Sequence, residues 1–226
     1  MNSLIPTAEQ QCIIMRSELA HQQLSITEEA HALSLQWFQK WKRSAGFYTK
    51  EMPTLDCPPI DNTPLIKNTE TGQKFNSSLI ENVDFIIIPR TTWEIFHSWY
   101  GGGPSISFQV EYNPIQKKNV AVTRKLSITV TFHDQPFKIT ASPFKLFSQI
   151  KFSICKYLKI EADEYSIYKF INLKKDEYCE DSKSLCELEV KDNDEFVIAK
   201  SLQNRDEFPK IDLQMTRSVS YSTLPN

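Results

Sequence analysis

Five cysteines (Cys12, Cys57, Cys155, Cys179 and Cys186) and four histidines (His21, His31, His97 and His133) are the side chains best suited to nucleophilic or metal chemistry in this chain of 226 residues. A cysteine attacks only as the thiolate, which needs a neighbouring base or positive charge. Cys57 sits in "LDCPPI" with no histidine or asparagine in a recognisable arrangement, and one cysteine alone is weak evidence for catalysis. It reads as a small, half-buried loop residue. Zinc sites need four convergent nitrogen or sulfur ligands, usually in two closely spaced pairs. Cys179 and Cys186 form no CxxC pair, and the histidines are scattered. The sequence therefore predicts no catalytic residue, no metal site and no cofactor.

The chemistry left is recognition by surface. "CPPIDNTPLI" (57–66) carries Pro58, Pro59 and Pro64. Each proline fixes its own φ and restricts the residue before it, so the stretch is neither helix nor central strand. Its apolar Ile60, Leu65 and Ile66 either plug a core or belong to a preformed surface. Trp99 and Tyr100 precede Gly101, Gly102 and Gly103, three of only five glycines. Exposed aromatics and rigid loops are favoured at interfaces. The candidate protein-binding set is Pro58, Pro59, Ile60, Asp61, Asn62, Trp99 and Tyr100. Within it, Ile60 is expected to pack inward while Pro58 and Pro59 stay exposed, and Asp61 and Asn62 have side chains suited to holding the turn.

The elements that must position these residues follow from periodicity. Thr7 to Leu24 suits a helix. Ser25 and Glu28 have capping-box spacing ahead of a second helical pattern, with Ala30, Leu33, Trp37, Phe38, Trp41 and Ala45 on one buried face and Gly46 as a stop. "VDFIII" (83–88) reads as a strand ended by Pro89. Thr91 and Glu94 suggest a second capping box, opening a short helix with Trp93, Phe96, Trp99 and Tyr100. Trp37, Trp41 and Trp93 read as core, because each buries a large area. Ile106, Phe108 and Val110 alternate along a strand.

The stretch 113–123 reads as a connector, and the pattern then changes. "LSITVTF" (126–132) alternates strictly, "HDQP" turns the chain, and "FKITA" supplies a hairpin partner. Ser142 with Pro143 suggests a helix start. Phe147, Ile150, Ile154 and Leu158 line one helical face. Lys145, Lys151, Lys156 and Lys159 along this helix read as solvated surface. "YSIYKFI" (165–171) and "DEFVIAKSL" (194–202) complete a β-grasp order. The end of the chain, 203–226, is expected to be a disordered tail.

Composition narrows the class. Hydrophobic residues make up 40% and charged residues 24%, an ordinary globular mix that allows one large or two small domains. A formal net charge of −2 gives no global case for nucleic-acid binding. No apolar run approaches the ~20 residues of a membrane span, and the first residues lack the pattern of a signal peptide. Scattered cysteines suit free thiols in a reducing, intracellular setting, cytoplasmic, nuclear or both.

Taken together, "WFQKWK" (37–42), "PPIDN" (58–62), "LIENVDFIIIP" (79–89) and "WEIFHSWYG" (93–101) resemble the DUSP domain, the domain present in ubiquitin-specific proteases. The resemblance covers roughly 5–112. Pro58 stands where the family's "PGPIDN" loop has glycine. Ala30 and His31 stand where an aromatic pair is common, and the glycine run is shorter than many family loops. Residues 124–202 resemble, by element order, the ubiquitin-like domain that follows DUSP in one branch of these enzymes. The expected architecture is α+β: a DUSP domain at 5–112, a connector at 113–123 and a ubiquitin-like β-grasp domain at 124–202. Leu224-Pro225-Asn226 replaces the diglycine end that conjugation needs.

The family's cysteine box, of the form "GNTCYMN", has no match. The resemblance thus implies a non-catalytic protein-interaction and regulatory module of a ubiquitin-specific cysteine protease, with other proteins as partners. A free-standing DUSP and ubiquitin-like adaptor is the alternative, and a cysteine hydrolase in its own right the remote one.

Overall fold

A computed structural model describes residues 6–20, 23–47, 57–70, 72–171, 174–178 and 180–200. The tail from 203, His21 and Cys179 lie outside them. The chain divides into two compact units, the first ending at Thr123 and the second starting at Arg124, with Pro114–Gln116 grouped with the second.

The first unit runs α1 (Ala8–Ala20), β1 (Glu29–Ser34), α2 (Leu35–Ser44), β2 (Ile60–Asp61), one 3-10 turn (Thr63–Leu65), β3 (Ile66–Thr69), β4 (Gly72–Phe75), β5 (Phe85–Pro89), α3 (Arg90–Tyr100), β6 (Gly102–Gly103), β7 (Ser107–Asn113) and β8 (Lys118–Ala121). Its main sheet has the order β5-β1-β7-β8, antiparallel throughout. Leu33 on β1 joins Met15, Trp37, Phe38, Trp41, Ile88, Trp93 and Phe96 in one core cluster. Ala32, its neighbour in sequence, joins Leu65 and Phe85 in another. Successive strand residues point to opposite faces, so β1 is covered on both.

That double burial explains a correction. Residues 29–34 are a strand and not the start of the tryptophan helix. A strand buried on both faces shows no period-two alternation, and Ala30 and Leu33 fell by coincidence into register with the helical residues after them. The helix is capped by Ser34, whose Oγ accepts from the Trp37 backbone N–H at 3.4 Å. Ser25 instead closes a local turn with Thr27 and Glu28. Thr91 does not cap α3 either: Pro89 is the N-cap residue and Glu94 pairs with Arg90 at 2.7 Å. The stretch expected as a connector is partly strand, because Lys118–Ala121 pairs with Val110–Asn113. Trp37 and Trp41 share the buried face, and Trp41 meets Phe96 edge-on at 4.9 Å.

The second unit runs β9 (Leu126–Phe132), β10 (Gln135–Ala141), α4 (Phe147–Leu158), a 3-10 turn (Ala162–Glu164), β11 (Tyr165–Ile171), β12 (Lys174–Tyr178) and β13 (Glu195–Lys200). The sheet order is β10-β9-β13-β11-β12, with β13 parallel to β9 and the other pairs antiparallel. This is the β-grasp arrangement, so the chain is α+β in two units. His133 and Asp134 both take positive φ in the β9–β10 turn, as a two-residue hairpin of type I′ requires. Phe147, Ile150 and Ile154 pack onto Ile128, Val130, Ile139, Ile167, Phe196 and Ile198. The helix begins at Phe147 and not at Pro143. Ser142 Oγ accepts from the Phe144 backbone N–H at 3.2 Å in a turn that precedes it.

Candidate functional site

The proline stretch and the glycine run, about forty residues apart in sequence, meet as a parallel pair. Ile60 and Asp61 in β2 face Gly102 and Gly103 in β6. The Ile60 N–H donates to Gly101 O at 3.1 Å and the Asn62 N–H to Gly103 O at 3.0 Å. Gly102 has a φ of +88°, and a Cβ there would stand 2.6 Å from the Ile60 nitrogen. Only glycine permits this approach. The glycine run is therefore a docking strand for the proline loop as well as a helix stop.

Asn62 locks the assembly. Its Oδ1 accepts from the Ser34 N–H at 2.8 Å, while Nδ2 donates to Ala32 O and Pro104 O, each at 3.0 Å. One carboxamide thus ties β1, the proline loop and the segment after β6. Ile60 packs into the tryptophan cluster at 3% exposure, and Asn62 is at 0%. Both were expected in the binding set. Both face inward because an apolar side chain and a carboxamide with three protein partners are satisfied inside, so neither presents its side chain to a partner.

Pro58, Pro59 and Asp61 are exposed. The Pro58 carbonyl accepts from the Trp37 indole N–H at 2.9 Å, so a core tryptophan aims the proline pair outward. Asp61 accepts from the Thr63 hydroxyl at 2.5 Å and from its N–H at 3.0 Å. These hydrogen bonds, the side-chain one foremost, hold its carboxyl below the ordinary value, with Lys40 adding a smaller pull. The surface thus carries a fixed negative charge beside two rigid pyrrolidine rings.

Trp99 and Tyr100 are half-buried. Trp99 stands edge-on to Phe96 at 6.2 Å. Tyr100 stands edge-on to Trp37 at 5.6 Å, and its hydroxyl donates to Gln11 Oε1 at 2.6 Å. Burial, then nearby Cys57, pushes the Tyr100 phenol above its ordinary pKa. Tyr100 therefore braces α1 against α3 and offers only part of its ring.

The described imidazoles are engaged elsewhere. His31 stacks on Trp93 at 5.2 Å with its Nδ1 3.2 Å from Ser105 Oγ, His97 stacks on the same indole at 5.7 Å, and His133 meets Phe132 at 4.2 Å. No group of three or more His, Cys, Asp or Glu side chains that could hold a metal occurs among the described residues. No helix among them is long and apolar enough to cross a membrane.

The β2–β6 pairing and the Trp37–Pro58 bond were not found by reading the sequence, and Asn62, expected to hold its own turn, instead ties it to β1 and to Pro104. The available signal was that the chain's two most irregular stretches, one rich in proline and one in glycine, lie in the same domain.

Residues 27–112 match the DUSP domain family. That segment is a DUSP domain, and the chain carries it together with a ubiquitin-like β-grasp unit. Ubiquitin carboxyl-terminal hydrolase 15 of Xenopus tropicalis is 33% identical over 75 residues, 31% of this chain and 8% of that protein. Inactive ubiquitin-specific protease 5 of Oryza sativa subsp. japonica is 24% identical over 144 residues, 52% of this chain and 36% of that protein. The matched region is a minor part of each relative. Among solved structures, the C-terminal ubiquitin-like domain of mouse tubulin-specific chaperone e matches with 14% identity and a TM-score of 0.33, covering 36% of this chain and 91% of that one. Through its DUSP segment the chain is similar to part of ubiquitin-specific proteases. No catalytic domain occurs among its described residues.

Proposed function

We propose that the chain is a non-catalytic protein-interaction and regulatory module acting in ubiquitin-specific protease function, and that it binds a protein partner through Pro58, Pro59 and Asp61 with the exposed edges of Trp99 and Tyr100. One observation carries the reading: two exposed prolines are held rigid from below by Asn62, the Trp37 indole and the β2–β6 pair. A preformed loop loses little conformational entropy on binding. Its apolar rings beside a fixed carboxylate suit a partner with an apolar contact flanked by a cationic or hydrogen-bond-donating group. The setting is intracellular, and the partner is either a catalytic domain of the same family or a protein recruited to one.

The test is a display selection against the intact chain, repeated against a Pro58→Glu/Pro59→Glu variant. Both side chains are exposed, so the fold should survive. Binders that fail on the variant and regain nothing at high concentration support the surface. Binders indifferent to the substitution contradict it. In parallel, a ubiquitin electrophile should leave Cys57 unlabelled, and labelling there would revive the cysteine hydrolase reading.

A further inference from the structure

We propose that α1 is a clamp on the proline surface: Gln11, acting through Tyr100 and Trp37, sets the position of Pro58, so undocking of α1 loosens that surface. By linkage, a partner seated on the surface tightens α1. This role depends on the reading of Pro58, Pro59 and Asp61 as a binding surface. α1 lies ahead of the 27–112 segment that matches the DUSP family, yet an unbroken series of contacts joins it to the proline pair. Gln11 is fully buried and its Oε1 accepts from the Tyr100 hydroxyl at 2.6 Å. The Tyr100 ring stands edge-on to the Trp37 ring at 5.6 Å. The Trp37 indole N–H donates in turn to Pro58 O at 2.9 Å. Phe96 also meets the Trp37 ring, at 5.5 Å, so loss of the Tyr100 brace shifts the indole without freeing it. Gln11 is thus a positioning residue that never reaches the surface it sets.

α1 is suited to leaving. Among its described side chains Gln11, Cys12 and Met15 are buried, whereas Ile13 and Ile14 are 64% and 37% exposed. An isolated helix of 13 residues is marginal in water, so α1 melts when it undocks and the two states are discrete. Its inward face spends one of its buried positions on a carboxamide. Against the burial that raises the Tyr100 phenol, Trp41 and Gln11 both pull it down, which places the Trp41 indole at the same junction. That indole N–H is buried without a hydrogen-bond partner among the described residues. A buried donor left unmade weakens the docked state, and opening gives it water. Met15 in the core and Arg16 over the Phe47 ring at 5.1 Å keep α1 docked in the free chain.

The experiment uses the whole chain. Iodoacetamide labelling of the buried Cys12 reports undocking, with the buried Cys155 of the second unit as control. Hydrogen exchange of the Trp37 indole N–H reports the bond to Pro58. Gln11→Met removes the acceptor at similar volume, and Tyr100→Phe removes the donor and keeps the ring. Each should speed Cys12 labelling and Trp37 exchange about three- to tenfold, as loss of one hydrogen bond does, with Cys155 unchanged. The double variant should be no faster than Gln11→Met alone, because both remove the same bond. Binders selected against the intact chain should lose affinity for Gln11→Met by a similar factor. Met15→Asp, which drives α1 off outright, should label Cys12 fully and speed Trp37 exchange further while the β1–β5 amides stay protected. Faster Cys12 labelling with unchanged Trp37 exchange, or additive effects in the double variant, would overturn the clamp. Binders indifferent to both Gln11→Met and Pro58→Glu/Pro59→Glu, while Trp37 exchange responds, would overturn the surface reading instead.

Discussion

The two units expose their apolar side chains by opposite means. In the DUSP domain, Pro58 and Pro59 stand on a segment with no periodicity, and their position depends on Asn62, Trp37 and a glycine strand far away in sequence. In the ubiquitin-like unit, Phe152 and Tyr157 stand on a regular helix whose opposite face is the core. An irregular surface must be locked by polar bonds that also hold the fold, so losing a locking residue such as Asn62 costs surface and stability together. A helical surface is separable, because its outward residues can change while the inward ones keep their packing.

The largest effect expected from breaking this contrast is at Trp41, fully buried among Phe38, Phe47 and Phe96. Trp41→Ala should cost about 3–5 kcal/mol and lower the melting of the first unit while the second keeps its own transition. A shift of only a degree or two in calorimetry would refute the packing described. Next comes β8. We expect residues 1–123 and 124–226 to fold separately, whereas a first unit cut after Gln116 loses the β7–β8 ladder and the Asn119 bond to Leu24 O at 2.8 Å. Its melting point should fall by roughly 5 °C or more against 1–123. Equal melting would show that β8 adds nothing.

A smaller effect concerns pH. Burial, and secondarily Arg90, depresses the His31 pKa against the opposing pull of Glu29 and Glu94. The unfolded chain then binds the proton more readily than the folded one. Stability from this group is complete above the ordinary histidine value of 6.5 and is lost as pH falls through the depressed folded value. Denaturant titrations at pH 7.5 and 5.5 should show the first unit weaker at the lower pH, with the difference reduced in His31→Gln. An unchanged difference in the variant would assign it to another group. The smallest effect is the other half of the contrast: Phe152→Ser should change stability by less than about 0.5 kcal/mol, and a larger loss would mean that the ring is part of the core.

The same contrast explains what could be read in advance. The bounds of β9 and β11 and the buried face of α4 were legible, because a one-sided sheet and a helix lying on it print their periods directly in the sequence. β12 was not: "KKDEY" is a polar strand at the sheet edge with no alternation to betray it. β1 was hidden by burial on both faces. Capping patterns misled three times, at Ser25, Thr91 and Ser142, since short polar spacings recur without a helix end to cap. Within the candidate site the residues were legible and their roles only partly so. Ile60 inward and the prolines outward agree with expectation. The inward Asn62 and the braced Tyr100 depend on partners 28 to 89 residues away in sequence, which no local pattern encodes.

The central claim is that the proline surface is preformed. Amide hydrogen exchange of Ile60 and Asn62, whose N–H groups donate to Gly101 and Gly103, tests it most directly. The account predicts protection of both amides close to that of the β1–β5 ladder in the intact chain, and loss of both together in Asn62→Ala. That variant strands the Ser34 N–H at a cost of about 1–3 kcal/mol. Rapid exchange at Ile60 and Asn62 in the unmodified chain, while β1 and β5 stay protected, would contradict it.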